Sequence, residues 1–217
     1  FTGPVISRDG RLIACVRITR STPETAPVKR LWLVGEDGEG RELAPAWDRW
    51  GVPAAFSPDA GTLYAVADED GDAPVFAIDV ASGKVRRLTG EGAFTSVRIT
   101  EDGRRLYAVR SSYQDPGSVV AIDTATGETT KLPVPVDYPE LPGRLERVET
   151  TAADGARMPG YLLLPPGDDP APLALWIHGG PLNSWNSWSW RWCPWLLVSR
   201  GWAVLLPDPA LSTGYGQ

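Results

Sequence analysis

The chain has 217 residues, 42% of them hydrophobic and 22% charged, which is enough apolar material for one or two packed cores and too much for a disordered chain. Its formal charge is -6 at pH 7 without any lysine- or arginine-rich stripe, so nucleic acid is disfavoured as a partner. No apolar run reaches the roughly 18 residues of a membrane span, and residues 1–10 lack the charged start and apolar centre of a secretory leader, so the expectation is a cytoplasmic protein with no membrane partner.

The first 135 residues repeat. Ser7-Arg8-Asp9-Gly10-Arg11-Leu12, Ser57-Pro58-Asp59-Ala60-Gly61-Thr62-Leu63 and Thr100-Glu101-Asp102-Gly103-Arg104-Arg105-Leu106 each join a polar turn to an apolar strand. Asp9 to Asp59 is 50 residues and Asp59 to Asp102 is 43. A second marker keeps the same rhythm: Leu31-Trp32-Leu33-Val34, Val75-Phe76-Ala77-Ile78-Asp79 and Val119-Val120-Ala121-Ile122-Asp123, each followed by a glycine turn at Gly38, Gly83 or Gly127. Short strands with a common unit of this length predict four-stranded propeller blades, about three of them, over 1–48, 49–92 and 93–135. A β-sandwich of hairpins predicts no such common unit. Fewer blades than a ring needs would leave open faces, so the missing remainder of the same polypeptide is the first expected partner.

Asp9, Asp59 and Asp102 read as turn residues that bond their own backbone, not as acids or calcium ligands. The compact cluster Asp68, Glu69, Asp70 and Asp72 reads as a solvated hairpin tip with Gly71. Cys15 and Cys193 lie far apart in apolar surroundings, as buried thiols do, and neither has a second cysteine at metal-ligand spacing. As a metal ligand His178 has no second histidine to work with, and neither metal nor cofactor is expected.

After Leu132 the pattern changes. Pro133, Pro135, Pro139 and Pro142 precede Gly143, as in a crossing between domains. A hairpin is predicted over 145–151 and 158–164, then a strand Leu173 to Ile177 buried on both faces, a short helix near 192–200 stopped at Gly201, and a second buried strand over 202–207. Strand, loop, helix and strand predict a crossover in a largely parallel sheet.

The blade repeats, Trp176-Ile177-His178-Gly179-Gly180-Pro181, the segment Ser199 to Pro207, and Ser212-Thr213-Gly214-Tyr215-Gly216 together resemble the prolyl oligopeptidase family, in its acylaminoacyl-peptidase and dipeptidyl-peptidase-like branch. The resemblance implies a partial β-propeller over 1–135, a linker at 136–144, and the N-terminal part of an α/β-hydrolase domain over 145–217. It also implies a parent polypeptide that cleaves short peptides through a Ser-Asp-His triad downstream of Gln217, this segment alone being inactive. Where the family usually has arginine and glycine before the serine, Ala210 and Leu211 stand here.

Within that frame Gly180 is the expected backbone donor to an oxyanion, because two glycines after a strand let the backbone approach a substrate and rigid N–H groups lower the barrier where charge develops. Gly179 makes the turn, and His178 and Pro181 support it. His178 precedes any nucleophile elbow, so it is expected to orient this loop by a ring hydrogen bond and not to act as base. Ser212 and Tyr215 are expected in one wall of the site entrance. Seven tryptophans fall in the last 42 residues. Trp176 and Trp202 are assigned to the core, while Trp185 and Trp188 are candidates to line the substrate, the alternative being packing against the propeller or a second copy in a homo-oligomer. Two other readings stay open: a non-catalytic propeller interaction module with a degenerate hydrolase domain, and an esterase of small acyl substrates.

Overall fold

Alternating apolar and polar residues between aspartate-containing turns fold the first part of the chain into three antiparallel meanders of four strands each. They comprise β1 (Thr2–Ile6), β2 (Ile13–Ile18), β3 (Lys29–Val34) and β4 (Gly40–Glu42); β5 (Val52–Phe56), β6 (Thr62–Val66), β7 (Val75–Asp79) and β8 (Val85–Arg87); and β9 (Ala93–Ile99), β10 (Arg105–Ser112), β11 (Asp115–Asp123) and β12 (Thr129–Lys131). This computed structural model describes residues 1–135, 137–138 and 140–216; Val136 and Pro139 of the expected linker, and Gln217, lie outside the described residues.

One turn chemistry recurs between the first two strands of each meander. Ser7 Oγ donates to Asp9 Oδ1 at 2.6 Å while the Arg11 N–H donates to the same oxygen at 3.1 Å. Ser57, Asp59 and Gly61 repeat this at 2.5 and 3.1 Å, and Thr100, Asp102 and Arg104 at 2.6 and 3.0 Å. The three aspartates therefore fasten their own turns. The first strands β1, β5 and β9 lie side by side, and apolar residues fill the spaces between successive sheets. Ala14, Leu31, Leu33, Phe56, Leu63 and Ile78 form one such core, and Tyr64, Val75, Phe94, Leu106 and Ile122 the next. Each fully buried large side chain contributes roughly 1.5–3 kcal/mol. Sheets stacked face to face along their inner strands are the arrangement of propeller blades.

The fourth sheet has the order β13-β14-β16-β15. Its strands are β13 (Arg144–Thr151), β14 (Arg157–Leu164), β15 (Leu173–Leu175) and β16 (Ala203–Pro207), with the single-turn helix α1 (Trp195–Val198) between the last two. Pairing is antiparallel except for β15 on β16, so among the described residues one pair is parallel, not most of the sheet. The hairpin β13–β14 dominates because Asp154-Gly155 supplies a tight turn, Gly155 taking φ +86°. The β15 strand is also barer than its apolar sequence predicts: Leu173, Leu175 and Ile177 are each more than half exposed, because no described element covers that face. Trp202, expected in the core, is 41% exposed. The helix stops where expected, with Gly201 at φ +84° and its N–H on the Val198 carbonyl.

The third core belongs to both parts of the chain. Tyr161, Leu163, Trp195, Val198, Val204 and Leu206 of the fourth sheet and its helix enclose Tyr113, which sits in the two-residue turn of the β10–β11 hairpin. The acidic cluster docks beside it. Arg147 on β13 grips both carboxylate oxygens of Asp72 at 2.9 Å, and the Tyr161 hydroxyl donates to the Gly71 carbonyl at 2.8 Å. This corrects the solvated-tip reading: Asp72 is only 4% exposed, because the hairpin tip is packed against the fourth sheet. No helix among the described residues is long and apolar enough to cross a membrane.

Candidate functional site

Parallel pairing of β15 and β16 brings the carboxyl ends of both strands to one end of the sheet, the position at which α/β sheets present functional groups. Three residues beyond β15 comes His178, and directly after β16 comes Asp208. Their side chains are 3% and 4% exposed, with His178 Nε2 3.5 Å from Asp208 Oδ1. Ser212, in the loop after β16, lies 2.8 Å by its Oγ from the same ring nitrogen, and the other nitrogen, Nδ1, faces the Gly179 carbonyl oxygen at 3.2 Å.

Asp208 is the hub of this end of the sheet. It accepts the Ser184 hydroxyl at 2.5 Å and the Trp185 N–H at 2.9 Å, and its carbonyl oxygen accepts the Tyr215 hydroxyl. Burial pushes its carboxyl up from the ordinary aspartate value against the pull of Ser184, the Trp185 N–H and His178, while Asp68 pushes it further up. The two loops are also tied to each other, the Thr213 N–H donating to the Asn183 carbonyl at 2.8 Å.

A serine, a histidine and an aspartate thus meet, but not as a hydrolytic triad. That arrangement needs the hydroxyl on one ring nitrogen and the carboxylate on the other, so that a proton taken from the hydroxyl is balanced across the ring. Here Ser212 and Asp208 approach the same nitrogen, which holds the ring in place without providing a relay.

The turn that follows is built around Gly180, whose φ of +146° is one that side chains rarely adopt; a Cβ there would lie 2.8 Å from the Leu182 nitrogen. Gly179 meets nothing within 4 Å, and Pro181 closes the turn by accepting the Asn183 N–H at 2.9 Å. The tryptophans divide. Trp185 sets its ring edge to face against His178, centroids 6.0 Å apart, and tilts against Trp176 at 6.3 Å. The Trp188 N–H donates to Ser111 Oγ at 3.1 Å, which ties its loop to β10. Trp195 is core, while Trp190 and Trp192 are 74% and 49% exposed.

The residues expected at the site are brought together in part. His178, Ser212 and Trp185 meet, and Gly179 and Gly180 sit at the exposed rim of the same turn. Tyr215 reaches the same hub by its bond to the Asp208 carbonyl and lines a cavity of about 260 Å³ at the seam between the second meander and the fourth sheet, with Arg49, Asp70, Arg157, Asp208 and Thr213. Two residues were missed, Asp208 and Asp68. Asp208 had a usable signal, a carboxylate enclosed by two prolines directly after an apolar strand. Among the described residues no group of three or more His, Cys, Asp or Glu side chains is gathered to hold a metal ion.

No family model matches the chain. Its whole length is 29% identical over 227 residues to a dipeptidyl-peptidase 5 of Schizosaccharomyces pombe, covering 32% of that protein, and 30% identical over 237 residues to a dipeptidyl-peptidase 5 of Arthroderma otae, covering 31%. The chain spans about a third of the length of these relatives. Among solved structures, the acylaminoacyl peptidase of Pyrococcus horikoshii superposes on 98% of the chain with a TM-score of 0.74 at 20% identity, over 33% of its own length. A puromycin-hydrolyzing peptidase of Mycobacterium tuberculosis gives a TM-score of 0.62 at 18% identity, covering 98% of this chain and 42% of that one. These likenesses link the chain to the prolyl oligopeptidase clan of serine peptidases.

Proposed function

Taking the link to the serine peptidases of the prolyl oligopeptidase clan as premise, we propose that the chain is part of a peptidase of short peptides, of aminopeptidase, dipeptidyl- or acylaminoacyl-peptidase type. Residues 1–135 are then part of a propeller, 136–144 its linker, and 145–217 the opening of an α/β-hydrolase domain. The nucleophile, acid and base belong to polypeptide outside these 217 residues, and the parent protein acts in the cytoplasm.

The observation that carries this reading is the turn at the end of β15. Gly180 presents its backbone at the exposed rim, and its N–H makes no hydrogen bond among the described residues. The turn is anchored from behind by the His178 ring on Ser212 and by Trp185 against that ring. A fixed N–H of this kind stabilises the oxyanion of an amide under attack, and losing one such donor costs about 2.7–4 kcal/mol of barrier. His178, Gly179 and Pro181 hold the donor in position. Trp185 backs His178, Tyr215 borders the seam cavity, and Trp188 ties the loop to the propeller.

The test is hydrolysis by the parent polypeptide of chromogenic amides carrying a free dipeptide, a single amino acid or an acylated residue. Cleavage of one class supports the peptidase reading and names its type. Ester hydrolysis without amide cleavage would make it an esterase, and inactivity on both would leave a propeller interaction module, the reading that Ala210 and Leu211 favour.

A further inference from the structure

Asp68 lies just beyond β6 on the second meander, distant in sequence from everything it touches. Its Oδ1 accepts the Asn186 side-chain amide at 2.6 Å, and its Oδ2 accepts the Thr213 hydroxyl at 2.5 Å. Those partners belong to the two loops that enclose His178. Asn186 follows Trp185, whose ring packs on the imidazole, and Thr213 follows Ser212, whose hydroxyl bonds it. Gly214 seats this second loop on the Asp68–Glu69 backbone: a Cβ there would lie 3.4 Å from both the Asp68 carbonyl carbon and the Glu69 nitrogen.

We infer that Asp68 is a positioning residue through which the propeller sets the geometry of the His178-Gly179-Gly180 turn, by holding the loops 183–186 and 212–214 together across one carboxylate. The inference rests on the peptidase reading for its effect on catalysis but not for its effect on the loops. One carboxylate bridging two loops is an economical brace, since a charged acceptor strengthens both bonds and no water need be ordered between them. Burial raises the Asp68 carboxyl, while the bonds from Thr213 and Asn186 and the charge of Lys29 pull it down. A misplacement of the turn by about 1 Å is enough to cost on the order of a hundredfold in rate.

The experiment compares wild type, Asp68→Ala and Asp68→Asn in the parent polypeptide, by amide hydrogen exchange and by steady-state kinetics. In Asp68→Ala the Trp185 and Thr213 amides should exchange on the order of tenfold faster or more, the weight of bonds to a charged group, while amides within β6 and β7 keep their wild-type rates. The kcat should fall on the order of ten- to a hundredfold with KM little changed, and Asp68→Asn, which keeps an acceptor and gains a donor, should recover most of the loss. Should Asp68→Ala fail to fold, Thr213→Val and Asn186→Leu each remove one bond from the other side and should loosen the same two amides. Wild-type exchange at Trp185 and Thr213 in the folded variants would overturn the inference. So would equal acceleration throughout β6 and β7, or faster loop exchange with unchanged kcat in an active protein. A wild type without activity would refute the peptidase reading alone, because the exchange measurement still decides whether Asp68 braces the loops.

Discussion

The Nε2 of His178 is 2.8 Å from Ser212 Oγ and 3.5 Å from Asp208 Oδ1, so two polar groups from beyond β16 converge on one ring nitrogen from beyond β15. This convergence holds the His178 ring, two residues before Gly180, from one side. Under the proposed function the bond of Ser212 is structural and the nucleophile is another serine. The variant Ser212→Ala should lose about 1 kcal/mol of stability, the weight of one hydrogen bond, measurable by denaturant unfolding. The same variant of the parent polypeptide should still react with a fluorophosphonate.

The turn aspartates and the two buried aspartates beside the His178 loops are displaced in opposite directions from the ordinary aspartate value. Asp9, Asp59 and Asp102 are held below the ordinary aspartate value by bonds from Ser7, Ser57 and Thr100 and by backbone N–H groups. Their contribution to folding is present above the ordinary aspartate value and is lost as pH falls through their lowered values. Burial holds Asp68 and Asp208 above the ordinary value. In the window between the ordinary and raised values the folded state therefore retains more protons than the unfolded one, and their contribution to stability declines as pH rises through that window. Carboxyl carbon shifts followed against pH check the order: the three turn aspartates should titrate first from the acid side, and Asp68 and Asp208 last.

Leu211 adopts φ +78°, in the left-handed region where side chains are strained, and its side chain is 63% exposed. A glycine there relieves strain of about 1–2 kcal/mol at an entropic cost of roughly 0.5–1 kcal/mol. The Leu211→Gly variant should thus be more stable by a few tenths to about 1 kcal/mol, read as a higher denaturant midpoint. A lower midpoint would show that the Leu211 side chain makes a compensating contact.

Tyr113 is 2% exposed with its hydroxyl buried and without a hydrogen-bond partner among the described residues, while its ring packs edge on Tyr161 with centroids 5.2 Å apart. Ring and hydroxyl should separate under mutation. The Tyr113→Phe variant removes an uncompensated polar atom and should be neutral or up to about 1 kcal/mol more stable. The Tyr113→Ala variant empties the centre of the third core and should cost about 3–5 kcal/mol.

The meanders were legible because their signals are local. An aspartate that bonds a residue two positions on leaves the same short motif in every unit, and Asp9, Asp59 and Asp102 make the same turn wherever they stand. Asp68 and Asp72 belong to an equally polar stretch, and nothing in their neighbourhood distinguishes a solvated tip from a docked one. Their partners Asn186, Thr213 and Arg147 lie 118, 145 and 75 residues away. Distance likewise hid Tyr113 as the centre of the third core, since Tyr161, which packs on it, and Trp195, which bonds its carbonyl, come from the fourth sheet and its helix. Asp208, whose partners Ser184 and Trp185 are 24 and 23 residues away, was marked instead by its flanking prolines. The β15 strand misled for a different reason: its apolar run predicts burial on both faces, but burial depends on a covering element, and no described element covers Leu173, Leu175 and Ile177. The expectation that His178 orients its loop by a ring hydrogen bond comes from its place ahead of any nucleophile elbow, while Ser212, which lies 2.8 Å from its Nε2, left no local sign of that contact.

Under the proposed function these residues build the oxyanion side of a serine peptidase whose nucleophile lies elsewhere in the polypeptide. Reaction of the parent polypeptide with a fluorophosphonate, followed by peptide mapping of the modified residue, tests it most directly. One modified serine outside residues 1–217 is expected, with amide hydrolysis lost in proportion to its modification. Modification at Ser212, or none at all in a folded protein, would contradict it.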